Sequence, residues 1–363
     1  MILPSAYWIT ILVLFFSIFC WGSWATTLKK SAWRFELYYL DFSLGALLTA
    51  VLAAFTLGSL GPDINVQDNF LLAGKKQLIL AFAAGALFNL ANMLVVAAIE
   101  LAGMSVALPL GLGLALVVGT TANFFLAKTG NPVFVFGGCL LVVVGIVFAA
   151  LAHASLAKSR RQAERAALEA QRAAEEAPPT PAAKRRKAVA EESGPGTWLG
   201  VVLALVGGLL MGGFYPLVNL SMEGDLGLNN PYALALIFSI GILVSTLVYS
   251  LYFMNLPVKG LPISFFAYFT GTLAQHLLGL AGGALWMAGA LANFAAAAAT
   301  GAAQASPSLS FALGQGAALV SLVWGVVLWK EFADAEAGAK RNLAILSVCF
   351  LAGLVAIAFG LAG

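Results

Sequence analysis

The stretch GALFNLANMLVVAAIELAGMSVALP, residues 85–109, recurs in outline at residues 283–307, which read GALWMAGALANFAAAAATGAAQASP. The two stretches align without a gap at one constant separation. The matching landmarks are Gly85 with Gly283, Phe88 with Trp286, Gly103 with Gly301, Ala107 with Ala305, and Pro109 with Pro307. The FSLG of residues 42–45 likewise matches the FSIG of residues 238–241. The chain therefore carries a repeat that extends over more than one helix-sized segment.

The composition is that of a membrane protein. Of the 363 residues, 61% are hydrophobic and only 10% are charged, whereas about a quarter of a soluble domain is charged. Apolar runs of about 20 residues, long enough to cross a bilayer as a helix, follow one another along the chain. These runs are continuous and too long for the strands of a membrane barrel. The sequence therefore predicts an all-α polytopic membrane protein.

Ten apolar runs are separated by polar loops. We place them at residues 6–27, 37–59, 77–99, 104–127, 133–153, 197–221, 231–254, 275–299, 306–329 and 342–361. Residues 262–274 are predicted to lie at the membrane interface before the eighth run. Residues 154–196 form a basic linker, whose first part is rich in Ala, Glu, Arg and Gln and is compatible with a solvated helix that continues the fifth run.

The positive charges are concentrated in loops on one side of a ten-span arrangement. These are the linker and the loops after the first and ninth runs, which contain Lys29, Lys30, Arg34, Lys330, Lys340 and Arg341. Positively charged loops are retained in the cytoplasm. We therefore expect a protein of the cytoplasmic (inner) membrane, with the middle loop in the cytoplasm and both termini outside.

The repeat divides the chain into residues 1–153 with five spans, the linker 154–196, and residues 197–363 with five more. Because five is odd, the second half must enter the membrane from the opposite side. The sequence thus predicts ten transmembrane helices as a five-plus-five inverted repeat, a common plan of secondary transporters. Such halves exchange conformations, so that a site between them opens to each face in turn. The alternative is an old duplication in a structural or receptor protein.

Carboxylates inside or at the ends of the spans are candidates for proton coupling, because charged groups in lipid are costly and usually functional. Asp41 lies about one turn inside the second span, and Glu36 lies at its interface. Asp41 has an alternative structural role as an ion-pair partner of Lys29, Lys30 or Arg34. For Glu36, a salt bridge with Arg34 is the alternative.

Amide side chains in the spans are candidates for substrate binding, because they offer both donors and acceptors to a neutral polar molecule. Asn89 and Asn92 share one face of the third span, since they are three residues apart. Further amides belong to the eighth and ninth spans or their ends: Asn293, Gln304 and Gln315. Hydrogen bonding between helices is the alternative for each one.

Aromatic residues and prolines complete the candidate site. Trp21 and Trp24 in the first span, and Phe214 and Tyr215 at the comparable place in the sixth, offer flat rings for stacking on a heterocycle or a sugar face. An interfacial aromatic belt is the alternative for Trp24. Pro109 and Pro307 are predicted to shape the entrances of the fourth and ninth spans, either as first-turn prolines or as kinks.

Four stretches resemble the ureide permease family of the drug/metabolite transporter superfamily. They are CWGSW at 20–24, LDFSLGALLTAVLAAFTLGSLGP at 40–62, VVGTTANFFL at 117–126 and SLVWGVVLWKEF at 321–332. The resemblance implies ten spans, an inverted repeat and proton-coupled uptake. Plant members carry allantoin and related oxo-heterocycles such as uracil, and related porters carry glucose, ribose or rhamnose. Plant members also have a longer central loop with a nucleotide-binding-like motif, which is missing here.

These observations predict a secondary active transporter that takes up a small neutral polar metabolite with protons. An oxo-heterocycle is the first substrate candidate and a monosaccharide the second. Export of drugs or metabolites, and a scaffold or sensor whose linker recruits a partner, are the other hypotheses. The sequence shows no Ser/His/Asp set, metal cluster or nucleotide motif, so we expect no enzyme, metal, cofactor or nucleic-acid partner. The expected partners are the substrate, protons and membrane lipid, and the protein should be a monomer or homodimer.

Overall fold

The computed structural model describes residues 1–61, 63–127, 130–174 and 196–362. Within these residues, ten segments are helical, long and apolar enough to cross a membrane, which confirms the predicted number. Spans one to ten are Tyr7–Ser31, Phe35–Phe55, Lys75–Ala102, Met104–Leu126, Pro132–Ser159, Trp198–Met222, Pro231–Asn255, Leu273–Ala297, Gly301–Leu328 and Ala337–Leu361. The chain is a multi-pass membrane protein.

The linker is described only in part. The helix of span five begins at Pro132 and continues to Ala174, so the predicted unit boundary between residues 153 and 154 falls inside a helix. The next helix runs over Gly196–Met222 and contains span six. Residues 175–195, which complete the predicted basic linker, lie outside the described residues.

Local capping signals fix where the second-half helices begin. Asn230 accepts hydrogen bonds from the first-turn N–H groups of span seven, and Pro231 supplies the preset φ of a first helical residue. Thr272 and Gln275 form a reciprocal capping box at the start of span eight. Before it, Phe265–Thr270 forms a 3₁₀ helix, within the stretch that was predicted to be interfacial.

One short helix between spans and interruptions within two spans complete the structure. Val66–Leu72 is a short helix between spans two and three. Span one is interrupted at Trp24, between the helices Tyr7–Ser23 and Ala25–Ser31. Span nine consists of separate pieces: a 3₁₀ turn at Gly301–Ala303, helices at Pro307–Gly314 and Ala317–Val323, and a π turn at Trp324–Leu328.

The two predicted helix-shaping prolines occupy different helical positions. Pro307 is the first residue of its helix, behind the N-cap Ser306. Pro109 lies inside the helix Met104–Ala127, where its ring removes one backbone hydrogen bond. The matched prolines therefore do not shape spans four and nine in the same way.

The spans pack in pairs that mix the first five with the last five. Span three packs on span six and span one on span eight, while span two packs on span eight and span three on span seven. Span four contacts span six, and span nine contacts span one. Spans five and ten lie against each other and are the spans with the smallest buried share.

Four glycines allow the backbones of two crossings to touch. At the crossing of spans two and eight, a Cβ added to Gly45 would overlap the carbonyl oxygen of Leu280, and one added to Gly283 would overlap that of Phe42. At the crossing of spans three and seven, Gly85 and Gly241 face the carbonyl oxygens of Phe238 and Phe82 in the same way. These are the glycines of the repeated sequence, and close backbone approach explains why both copies need them.

Gly103 and Gly301, another matched pair of the repeat, are required by backbone conformation rather than by helix packing. Gly103 separates spans three and four with a φ of 85°, and Gly301 follows span eight with a φ of 61°. Residues with a Cβ rarely adopt positive φ values, whereas glycine adopts them at little cost. The repeated sequence therefore preserves the same backbone requirement at both helix junctions.

Candidate functional site

A small cavity lies among spans one, three, four, six, eight and nine. Its volume is about 30 Å³, which is room for about two water molecules. Five of the predicted substrate-binding residues line it: Trp21, Trp24, Asn92, Phe214 and Gln315. The structure thus brings together residues from both ends of the sequence, and the cavity must widen to hold a metabolite.

Trp286 is the centre of the aromatic wall of this cavity. Its ring stacks on Phe88 at a centroid distance of 4.1 Å, on Trp21 at 5.8 Å and on Phe238 at 6.0 Å. The Trp21 Nε1–H donates to the Trp286 carbonyl oxygen over 3.1 Å, which fixes the ring of Trp21. Our sequence analysis did not propose Phe88 and Trp286 as site residues, although they are matched landmarks of the repeat.

Asn92 and Gln315 provide the polar groups of the cavity. Their exposed fractions are 3% and 2%. Among the described residues, neither Asn92 Nδ2 nor Gln315 Oε1 makes a hydrogen bond of ordinary geometry, although the buried Tyr39 hydroxyl interacts with the Asn92 amide. A buried donor or acceptor left unpaired costs about 1–3 kcal/mol. The cavity therefore presents one donor and one acceptor that a polar molecule would satisfy.

Gln315 is positioned by the interruption of span nine. Backbone hydrogen bonds here run three residues back, from the Gly316 N–H to Leu313 and from the Ala318 N–H to Gln315. Such bonds mark a tighter, 3₁₀-like turn. Discontinuous spans at the middle of transporters commonly form substrate sites, and here the break places an amide beside the aromatic wall.

The other predicted binding residues lie elsewhere. Asn89 Nδ2 donates to the Ile242 carbonyl, Ser245 Oγ and Thr246 Oγ1, and so ties span three to span seven. The Tyr215 hydroxyl donates to Asn293 Oδ1 over 2.9 Å, and Asn293 Nδ2 donates to the Ser310 carbonyl over 2.8 Å. Gln304 is exposed in the loop before the helix Pro307–Gly314. These residues do not line the central cavity.

Asp41 is buried in a pair that sequence reasoning missed. His276 Nδ1 lies 2.7 Å from Asp41 Oδ2, and the Tyr268 hydroxyl donates to Asp41 Oδ1 over 2.6 Å. Of the partners that the sequence offered, Lys29 pairs with Glu331 and Arg34 with Glu36, and the described residues show no ion pair between Lys30 and Asp41. The only signal in the sequence was a histidine in the first turn of span eight.

Glu36 forms the salt bridge with Arg34 that the sequence offered as the alternative to proton coupling. Arg34 Nη2 and Nε donate to its two carboxylate oxygens over 2.6 and 3.3 Å, and Arg34 Nη1 also donates to the Leu261 carbonyl. The hydrogen bond to Glu36 raises the pKa of Arg34. Glu36 therefore serves in the structure as one side of an ion pair at the start of span two.

Glu331 joins three elements at the same end of the protein as Arg34. Its carboxylate binds Lys29 and accepts hydrogen bonds from the backbone N–H groups of Met104 and Ser105, at the start of span four. Burial alone would raise the pKa of Glu331, but these donors lower it below its usual 4.5. The negative charge also lies at a helix N-terminus, where the helix dipole stabilises it.

Replacing Glu331 with Gln should reduce the free energy of unfolding by about 2 kcal/mol at neutral pH, because a charged acceptor of several hydrogen bonds is lost. Since the folded pKa is lowered, the wild-type advantage is fully present above pH 4.5 and disappears as the pH falls through the folded value. Thermal unfolding in detergent would measure it. Asp334→Asn, in the exposed part of the same loop, is the control, and equal stability of Glu331→Gln and wild type would contradict the role.

Ten candidate spans around a small polar and aromatic cavity are an arrangement typical of membrane transporters. A family model described as "Ureide permease" matches residues 38–193. Ureide permease 1 and Ureide permease 4 of Arabidopsis thaliana are each 27% identical to this chain, over 93% and 94% of it and over 92% and 93% of their own lengths. Ureide permease 2 of the same plant is 26% identical over 92% of this chain and 91% of its own. The chain is thus similar over nearly its whole length to ureide permeases, which are transporters rather than enzymes.

Proposed function

We propose that this permease takes up a ureide or a related oxo-heterocycle, such as allantoin or uracil, together with protons. The observation that carries the proposal is the pair of amide groups without a hydrogen bond of ordinary geometry, Asn92 Nδ2 and Gln315 Oε1, beside the stacked rings of the central cavity. A ureide has N–H and carbonyl groups close to one plane. Its carbonyl would accept from Asn92, its N–H would donate to Gln315, and its flat face would stack on a tryptophan.

The names of the relatives support the same substrate class, because the plant proteins are ureide permeases. A monosaccharide is the second candidate, since hydroxyl groups also satisfy amides and the apolar face of a sugar also packs on tryptophan. The two candidates differ in shape: a planar ring fits between stacked aromatic faces, whereas a puckered ring needs more depth. Competition between the two candidates therefore tests whether the cavity accepts a planar or a puckered ring.

We propose alternating access between two inverted halves as the mechanism. In such a repeat, spans one to five correspond in order to spans six to ten, so each contact between spans should have a counterpart between the corresponding spans. The contact of spans three and six has its counterpart in eight and one, that of two and eight in seven and three, and that of four and six in nine and one. The reciprocal glycine contacts of both crossings support the same relation. Phe88 and Trp286, matched in the repeat, meet each other at the cavity, where an axis between the halves would pass.

Under the positive-inside rule, the positive charges of the loops with Lys29 and Lys330 and of the basic linker support a cytoplasmic position for the Asp41 end of the protein. We propose the cytoplasmic membrane as the location and uptake as the direction. A cysteine placed at Asp334, in the exposed loop after span nine, should react with an impermeant reagent only after the cells are opened. Labelling of intact cells would reverse the orientation.

Labelled allantoin, uracil, glucose and ribose, offered to proteoliposomes with an imposed inward proton gradient, test the function. We expect allantoin or uracil to accumulate above its external concentration and the other compounds to compete weakly. Accumulation of a sugar instead would favour the second candidate. No accumulation of any of these compounds would reject both.

Replacing Asp41 with Asn should abolish gradient-driven accumulation, because an amide retains a polar side chain but carries no exchangeable charge. The internal concentration of substrate should fall to the external one, while exchange of labelled for unlabelled substrate continues at a measurable rate. Both are followed in the same vesicles. Accumulation at the wild-type level in Asp41→Asn would remove Asp41 from the coupling mechanism.

A further inference from the structure

We propose that Asp41 and His276 together form the proton-binding site of this permease, with His276 as the group through which protons reach the buried carboxylate. This inference rests on the proton coupling proposed above and deepens it. His276 lies in the first turn of span eight, and its ring is the direct partner of Asp41.

The side chains of Asp41 and His276 differ in solvent exposure, as a proton relay requires. The Asp41 side chain is 4% exposed and that of His276 is 24% exposed. A carboxylate oxygen accepts the hydrogen bond, so Nδ1 carries the proton and Nε2 is left to exchange with water. A proton that arrives on Nε2 makes the imidazole cationic, and the Nδ1 proton can then pass to Asp41. One proton enters at Nε2 and one leaves Nδ1, so the relay is balanced.

The space around the pair is built by glycines. A Cβ added to Gly279 would lie 2.5 Å from the Asp41 Cβ, and one added to Gly271 would lie 2.8 Å from His276 Nε2 and from the Trp33 ring. His276 and Gly279 are three residues apart and share one helix face. Span eight therefore provides both the imidazole and the room for the carboxylate.

Aromatic side chains cover the pair. The His276 ring packs edge to face with Trp33 and Tyr268, at centroid distances of 5.0 and 4.8 Å, and Trp33 and Tyr268 stack on each other at 5.9 Å. Burial and the hydrogen bond to Asp41 raise the pKa of Tyr268. Tyr268 therefore keeps its proton and remains a donor to Asp41.

Other titratable groups near the pair are already engaged or lie outside it. On span two, Tyr38 shares a hydrogen bond with Thr27, and Glu36 binds Arg34. Lys259 is exposed in the connector that also contains Tyr268. On the span-seven side, Met254 packs with Leu37 and Leu40 and adds no charge. Among the described residues, His276 is thus the only basic side chain that pairs with the Asp41 carboxylate.

The second half of the protein shows that this crossing does not require charge. Under the repeat, Asp41 corresponds to Ile237 and His276 to Leu78. Spans three and seven cross by the same glycine contacts as spans two and eight, yet they carry these apolar residues instead. A pair needed only for packing would have no reason to be ionisable in one crossing and apolar in the other.

The position of the pair links proton binding to the movement of the halves. Asp41 belongs to the first five spans and His276 to the last five. When His276 carries protons on both ring nitrogens and Asp41 carries none, the two side chains form an ion pair that holds spans two and eight together. Loss of one imidazole proton makes His276 neutral, and gain of a further proton makes Asp41 neutral, so either change removes the attraction. Gly279 is seven residues before Trp286, about 10 Å along the helix, so a shift of span eight reaches the cavity wall.

Two variants test the site. His276→Asn keeps a donor near the Nδ1 position but binds no proton. Asp41→Ile combined with His276→Leu copies the apolar crossing of the second half and guards against misfolding, because buried ion pairs are often replaced by apolar residues without loss of stability. In both, accumulation should fall to the external concentration, and substrate exchange should become independent of pH between about 5 and 8. Leu273→Ala, exposed in the first turn of span eight, should behave as the wild type.

Wild-type accumulation and pH dependence in His276→Asn would overturn the inference while leaving proton coupling intact. If the wild type itself shows no response to a proton gradient, the proposed function fails instead, and a second measurement decides the site. The chain has only 2 histidines, so ¹⁵N-imidazole NMR assigns His276 by its loss in His276→Asn. Its titration curve should change in Asp41→Asn, and an unchanged curve would overturn the shared site.

Discussion

Replacing Gly283 with Ala should eliminate the folded transporter. The added Cβ would overlap the Phe42 carbonyl oxygen and lie within 2.8 Å of the Ala46 backbone nitrogen. Overpacking against side chains costs about 1–3 kcal/mol, but here the obstacle is the backbone of span two, which cannot rotate away. We therefore expect a loss of about 3 kcal/mol or more, seen as aggregation in size-exclusion chromatography.

Gly137→Ala is the matched control. Gly137 is also in a helix, but an added Cβ would meet nothing within 4 Å. Alanine is favoured over glycine in helices by up to about 1 kcal/mol, so this variant should be as stable as the wild type or more stable. A monodisperse, stable Gly283→Ala protein would show that spans two and eight do not cross with their backbones in contact.

Replacing Asn92 with Leu should weaken substrate binding about 10- to 100-fold, because the substrate carbonyl that Asn92 Nδ2 satisfies would be left unpaired. Thermal stability should change little, since within the described part of the chain Asn92 Nδ2 makes no hydrogen bond of ordinary geometry and its interaction with the Tyr39 hydroxyl is weak. Binding of labelled substrate to the purified protein, together with a melting curve, measures both effects.

Asn89→Leu provides the contrast one helical turn earlier. Asn89 Nδ2 donates to three groups of span seven, so its loss should lower the melting temperature. The protein that folds should keep its affinity. If Asn92→Leu lowers stability as much as Asn89→Leu and leaves affinity unchanged, Asn92 is a structural amide and the proposed binding site is wrong.

Much of the fold follows from the sequence, because the length and spacing of apolar runs are local properties. The ten spans, the start of span eight and the continuation of span five all follow from composition and capping residues. The matched glycines of the repeat were also visible in the sequence, but the close helix contacts that require them were not. That Gly283 meets Phe42, 241 positions away in the chain, is a property of helix packing that no local pattern contains.

The cavity was predictable only in part. Trp21, Trp24, Asn92, Phe214 and Gln315 were identified as polar or aromatic residues in apolar spans, and they line it. The same reasoning selected Asn89 and Asn293, whose amides are hydrogen-bonded to other helices. A single amide in a span has the same sequence signature in both roles, and only the identity of its neighbours distinguishes them.

Trp286 and His276 are residues that the sequence analysis left out of the candidate site. Trp286 served only as a landmark of the repeat, and the sequence does not show that its ring stacks on Phe88, the residue it matches. His276 lies near the end of a span, where the local sequence indicates no buried partner. Its partner Asp41 is 235 residues earlier, and the pairing depends on the crossing of spans two and eight.

Substrate-driven proton movement tests the central claim most directly. Proteoliposomes that contain a trapped pH-sensitive dye, with equal pH on both sides, receive unlabelled allantoin or uracil from outside. We expect the lumen to acidify in the wild type, to remain unchanged in Asp41→Asn, and to acidify less in Asn92→Leu at the same substrate concentration. Uptake of either labelled compound by wild-type protein without any change of internal pH would contradict a proton-coupled ureide permease.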